Sequence, residues 1–174
     1  MLIFVTGIST SGKSTVASEL QKRGYEAYDT EHNGISAWYN KQSGNRAAEF
    51  GEMPERTQEW LGQHEWLISA KWVAEIAAKA EHKPIFLCGG SSNEPEIRDM
   101  CQKVIWLKTD EATIRKRVVI PRDHDYGTKP HELAAAIKSN RQKEAEYTAI
   151  SAIMVDATQP IGRVVDEILH NSLG

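Results

Sequence analysis

The eight residues Gly7-Ile-Ser-Thr-Ser-Gly12-Lys13-Ser14 match G-x-x-x-x-G-K-[ST] at every defined position. A chain of this length meets the pattern by chance in roughly 0.6% of cases, so the stretch is specific on its own. Its chemistry is phosphate binding. Gly7 and Gly12 let the backbone turn tightly, and the amides of Ser9, Thr10 and Ser11 then converge as an anion nest. Lys13 supplies a point charge for the β- and γ-phosphates, and the Ser14 hydroxyl is a hard oxygen ligand for Mg²⁺. A helix opening at Lys13, with Thr15 in its first turn, adds the partial positive charge of its N-terminus. The alternative is a glycine-rich turn with no ligand.

Further candidates are carboxylates, arginines and rings. Asp29 and Glu31 lie two residues apart after an apolar stretch. One could take an acceptor hydroxyl's proton and the other hold Mg²⁺ through water, with Asp29 the first candidate both to orient the acceptor and to hold the metal and Glu31 a candidate on the acceptor. Alternatively, Asp29 caps a turn and Glu31 faces solvent. Arg117 and Arg122 are candidates to stack on a base or clamp transferring oxygens. Arg115 reads as part of a charged helix face, and His124 and Asp125 as structural. Trp38, in an expected loop, is a candidate to stack a flat ring. Trp60 and Trp66 fall at helical spacing and read as core. Arg46 and Arg56 read either as ligands for an acceptor phosphate or as solvated surface charge.

The elements that would position these residues alternate between strand and helix. Leu2 to Val5 reads as a buried strand running into the loop, and Lys13 to Lys22 as a helix stopped by Gly24. Tyr25 to Asp29 is a second strand. Residues 30 to 58 read as irregular, with a short helix around Ala47. Glu55 to Ala80 reads as one long helix with a broad apolar arc. Ile85 to Cys88 is a third strand, ended by Gly89-Gly90, and Glu94 to Met100 a short helix. Val104 to Leu107 is a fourth strand, and Asp110 caps a helix to Val119. A polar loop spans Pro121 to Pro130, and Pro130 opens a helix to Tyr147. Ala152 to Val155 is a fifth strand, followed by a helix from Pro160. This alternation predicts an α/β fold with a parallel sheet covered on both faces.

Composition sets outer limits. The 174 residues fit one domain, 40% of them are apolar and 26% charged, and the net charge is −3. That balance argues against nucleic acid as a partner. Leu2 to Val5 is too short for a secretory signal, and no apolar run is long enough to cross a bilayer. Cys88 and Cys101 match no metal spacing and read as free thiols. A cytoplasmic protein without membrane contact, monomeric or homodimeric, is expected.

The guanine-reading Asn-Lys-x-Asp stretch of GTPases is absent. The strand ending Leu87-Cys-Gly-Gly90 lacks the acidic residue that motor and transporter ATPases place there. The order of elements resembles the adenylate kinase and shikimate kinase group of small P-loop kinases over nearly the whole chain. The resemblance rests on the phosphate loop, on Tyr28-Asp-Thr-Glu31, on Arg117 to Gly127, and on Val155-Asp-Ala-Thr-Gln-Pro160. It implies a three-layer P-loop fold with a five-stranded parallel sheet in the order 2-3-1-4-5. It further implies an arginine-bearing lid at about residues 119–130 and an acceptor side at about 32–80, within one domain spanning 1–174. Asp156 and Thr158 would then lie in the loop that cups adenine. Gly89 and Gly90 resemble the shikimate kinase turn that brings a backbone amide to the γ-phosphate. The arginine spacing of five departs from the usual four, which puts the alignment of Arg122 in doubt. The activity so implied is an ATP- and Mg²⁺-dependent kinase acting on a small-molecule hydroxyl or phosphate, with nucleosides or nucleotides favoured. A polynucleotide-end kinase and a nucleotide-dependent switch or assembly ATPase are the alternatives.

Overall fold

The computed structural model describes residues 1–49, 57–120 and 128–174. Arg56, Arg122, His124, Asp125 and most of the expected lid loop lie outside the described residues. Fifteen elements follow in chain order among the described residues. They are β1 (Leu2–Thr6), α1 (Lys13–Lys22), β2 (Glu26–Asp29), β3 (Ser36–Asn40), β4 (Arg46–Glu49), α2 (Gln58–Gln63) and β5 (His64–Ile68). After these come α3 (Ala70–Lys79), β6 (Ile85–Cys88), α4 (Glu94–Asp99), β7 (Lys103–Lys108), α5 (Glu111–Val118), α6 (Pro130–Ala149), β8 (Ile153–Asp156) and α7 (Ile161–Leu173).

The main sheet is parallel, in the order β2-β6-β1-β7-β8. Counting only its five strands, this is the expected 2-3-1-4-5. β1 and β6 are buried along their whole length, as the central strands of a sheet covered on both sides must be. Successive side chains alternate between two cores. Ile3, Val5, Phe86 and Cys88 pack with Val16 and Leu20 of α1 and Val165 and Ile168 of α7. Leu2, Phe4, Ile85 and Leu87 pack on the other face with Val73 and Ile76 of α3 and Ile97 of α4. A third cluster joins Trp106 of β7 to Ile114 of α5 and to Ile137 and Tyr147 of α6. Cys88 and Cys101 are free thiols. No helix among the described residues is long and apolar enough to cross a membrane.

The acceptor side departs from expectation. The long helix expected from Glu55 to Ala80 is two helices separated by a strand, and the short helix expected at Ala47 is strand β4. β4, β3 and β5 form a separate antiparallel sheet. Two N-caps divide the segment: Thr57 Oγ1 accepts from Trp60 N at 3.1 Å, and Ser69 Oγ accepts from Trp72 N at 3.3 Å. Both are visible in the sequence as Ser/Thr ahead of helical stretches. The broad apolar arc arose because strand β5 interrupts two helices, so residues from different elements were projected onto one wheel.

This small sheet is fastened to the main one by the turn after β6. Ser92 N donates to Trp66 O at 2.8 Å. Asn93 brackets Ile68, its Oδ1 accepting from Ile68 N and its Nδ2 donating to Ile68 O, both at 3.0 Å. The strand end nearest the phosphate loop therefore also sets the position of β5.

Candidate active site

β1 delivers the chain to the carboxyl edge of the sheet, where ligands of open α/β sheets bind. There it turns through residues 7–12 into α1. Gly12 holds φ 99°, a left-handed conformation that glycine adopts without strain. A side chain at Gly7 would meet Ser11 Oγ at 2.6 Å. The first turn of α1 carries no acidic residue, and no side chain caps its N-terminus, so its orphan amides and dipole point at the loop without competition. Thr10 Oγ1 and Ser11 Oγ are buried and bond no protein atom among the described residues. Buried polar atoms of this kind call for a ligand or ordered water. Lys13 Nζ donates to Gly7 O at 2.9 Å and Ile8 O at 2.8 Å. Burial lowers its pKa, and the carboxylates of Glu31, Glu94 and Asp29 oppose that shift.

The loop forms one wall of a cavity of about 900 Å³, within the usual range for a ligand site. Gly7, Ser9, Thr10, Ser11, Gly12, Lys13, Ser14 and Thr15 all line it, as do Glu31, Trp38, Gly90 and Arg117. Asp29, Arg46, Gly89, Asp156 and Thr158 are not among the lining residues. Each of these has a local explanation. Asp29 builds a turn: its Oδ1 accepts from Glu31 N at 3.0 Å and His32 N at 3.3 Å, and its Oδ2 lies 2.9 Å from His32 Nδ1. Arg46 is exposed on β4 and pairs with Glu49 at 3.1 Å. Gly89 has no room for a side chain because Thr30 packs on it. Asp156 Oδ1 accepts from Thr158 N and Oγ1 at 2.9 and 2.6 Å, and these bonds hold its carboxyl below the usual range.

Arg117 fastens two loops together. Its Nη1 donates to Thr10 O and Ser11 O, each at 3.2 Å, and its Nη2 donates to Ala157 O at 2.6 Å. The residues after β8 are thereby tied to the phosphate loop, and Ala157, Gln159 and Ile161 join the cavity wall.

The same cavity has an aromatic wall. Trp38 of β3 and Trp66 of β5 are directly paired across strands, with centroids 5.5 Å apart. Trp60 packs edge-on against Trp38 at 5.0 Å and stacks on His64 at 4.1 Å. Trp66 therefore lines the cavity instead of filling a helical core. With β5 hidden inside an apparent helix, its inward ring was not recognisable.

The sequence reading also missed Glu94 and Lys143. No acidic residue directly follows Leu87, but the chain turns through Gly89-Gly90 and returns Glu94 to the same place. Glu94 is 4% exposed. Its Oε1 accepts from Thr6 Oγ1 at 3.0 Å and Ser91 N at 3.3 Å; its Oε2 accepts from Tyr147 Oη at 2.9 Å and from Lys143 Nζ. A Cβ on Gly90 would lie 3.3 Å from Glu94 Oε1 and 3.8 Å from Lys13 Cε, so glycine is what lets carboxylate and loop approach. The sequence signal available was the carboxylate at the start of a helix just past the strand.

A family model described as an AAA domain matches residues 3–148. No curated protein sequence matches the chain. Among solved structures, shikimate kinase from Aquifex aeolicus vf5 aligns at TM-score 0.56 and 20% identity, covering 100% of this chain and 99% of that one. Shikimate kinase from Acinetobacter baumannii, in complex with shikimate, aligns at 0.61 and 16%, covering 99% and 95%. Deoxyadenosine kinase from M. mycoides with bound dATP aligns at 0.59 and 13%, covering 100% of both chains. The chain belongs to the AAA domain family, and its fold is that of the P-loop small-molecule kinases.

Proposed function

We propose that this protein is an ATP- and Mg²⁺-dependent phosphotransferase acting on a small-molecule acceptor, with nucleosides or nucleotides favoured. The observation that carries the reading is that the phosphate loop and the paired Trp38 and Trp66 line a single cavity. A switch protein would instead open its nucleotide site onto a flat apolar surface.

The residues fit the nucleotide and its metal. Loop amides and the unpartnered Thr10 and Ser11 hydroxyls suit phosphate oxygens. Ser14, which lines the cavity, offers a hard oxygen of the kind Mg²⁺ takes, and the ion would neutralise charge on the β- and γ-phosphates. In transfer, the acceptor oxygen forms a bond to the γ-phosphorus, the bond to the β-phosphate oxygen breaks, and the acceptor hydroxyl gives up its proton. Glu31 is assigned as the group facing that proton. Asp29 is assigned to hold the turn presenting it, because both Asp29 oxygens are engaged there. Lys13 stabilises charge on the transferring group, and Arg117 holds the loop against residue 157.

The test is a panel of nucleosides, nucleotides and small alcohols incubated with labelled ATP and Mg²⁺, after a thermal-shift screen chooses the members. A phosphorylated product is the expected result. Tight ATP binding with no product from any member would overturn the kinase reading. For the acceptor so found, Trp38→Ala should raise KM about tenfold, a typical loss for one stacked ring with its burial, with KM for ATP unchanged. An equal rise in both constants would place Trp38 outside the acceptor pocket.

A further inference from the structure

We propose that Lys143 is a second phosphoryl-binding cation of this site, delivered from α6 and held at the cavity floor by Glu94. The inference rests on the phosphate loop being the nucleotide site.

Three observations converge. First, Ala136, Ser139 and Lys143 all line the cavity. Their spacing of three and four puts them on one face of α6, so this helix presents a stripe to the ligand. Second, Lys143 is not sealed in the core: about a third of its side chain, 32%, is exposed, whereas Glu94's is 6% exposed. An ammonium has three donors. Glu94 takes one, which leaves two for an anion in the cavity. Third, Glu94 ties Lys143 to the Lys13 end of the cavity: Lys143 Nζ donates to Glu94 Oε2, and a Cβ on Gly90 would lie 3.3 Å from Glu94 Oε1 and 3.8 Å from Lys13 Cε.

Lys143 lines the same cavity as the loop residues Lys13 and Ser14, so an anion held by the loop shares its space with the Lys143 ammonium. Glu31 and Glu94 also line that cavity, and a bound Mg²⁺ would offset their negative charge. Lys143 would then contact the transferring group together with Lys13 and the loop amides. Two cations on a group whose charge is spread over three oxygens stabilise it better than one.

The experiment compares Mg·ADP with Mg·AMP-PNP by titration calorimetry. A γ-phosphate contact is read as the preference for AMP-PNP over ADP, a ratio that a general packing defect would not move. Lys143→Met is measured alone and in a Glu94→Gln background, where no buried carboxylate is left unpaired, so one folded variant suffices. The expected result is that wild type and Lys143→Arg prefer AMP-PNP, and that Lys143→Met loses about tenfold of that preference, with ADP affinity nearly unchanged, while in the Glu94→Gln background, where Lys143 has already lost its anchor, the further loss is smaller. An unchanged ratio, or equal loss of both nucleotides, would overturn the assignment of Lys143 while leaving the nucleotide site standing. Wild-type protein that binds neither nucleotide would overturn both.

Discussion

Replacing Lys13 with alanine should lower phosphoryl transfer by at least about 100-fold, the scale seen when one preorganised group stabilising transition-state charge is removed, and leave the fold intact. The two halves of this expectation have separate causes. Among the described residues, the hydrogen bonds of the Lys13 ammonium go to Gly7 O and Ile8 O within its own loop. Thermal unfolding should therefore shift by less than about 2 °C, as for substitutions away from core and networks. Transfer suffers because the lysine sits in a site where burial already disfavours its charge, so an arriving phosphate gains more from it than it would in water. Turnover of the acceptor found by the panel, alongside a melting curve, checks both halves. A Lys13→Ala protein that retained activity would remove the loop from the mechanism.

Glu94→Ala should produce the largest loss of stability of any single change in the site. Four donors lose their acceptor together: Thr6 Oγ1, Ser91 N, Tyr147 Oη and Lys143 Nζ. Tyr147 is fully buried, stacked on Trp106 at 4.6 Å, so its hydroxyl has no ready access to water. Lys143 can turn to solvent, but the buried Thr6 and Tyr147 hydroxyls cannot, and each buried donor left unsatisfied costs about 1–3 kcal/mol, so the loss is about 3–5 kcal/mol. For a domain of this size that is a fall in Tm of roughly 10 °C or more. Glu94→Gln should lose less than half as much, because it keeps one acceptor oxygen and its amide can donate to Tyr147 Oη. Melting curves of the two variants check this. Equal, small shifts would mean that water replaces the carboxylate and that the cluster does not join α6 to β1.

How legible the site was in the sequence depended on how local its parts are. The phosphate loop depends on eight consecutive residues and their own backbone preferences, so spacing alone identified it. The sheet order followed from apolar strands alternating with helices, because parallel strands must be joined by crossovers. Asp29 was correctly seen at a strand end, but its two residues of separation from Glu31 could not tell which carboxylate builds the turn and which lines the cavity. That is decided by where the amides of Glu31 and His32 point.

The acceptor side was the least legible. Trp38 and Trp66 lie 28 residues apart in sequence and become neighbours only when β3 pairs with β5. His64 to Ile68 is short enough to continue either a helix or a strand, and the strand wins because β3 and the Ser92–Asn93 turn supply partners for its backbone.

The sequence by itself determined the donor end of this protein: the loop, the strand that feeds it, the helix that follows, and the layered sheet that holds them. Each depends on contiguous residues with short-range geometry. Only the tertiary structure decided what surrounds the loop. It brought Glu94 from beyond the Gly89-Gly90 turn, Lys143 from a helix 49 residues later, and Trp66 from a strand hidden in an apparent helix. Those contacts are long-range. No local pattern encodes them, because their stability comes from burial and pairing that exist only once the chain has closed on itself.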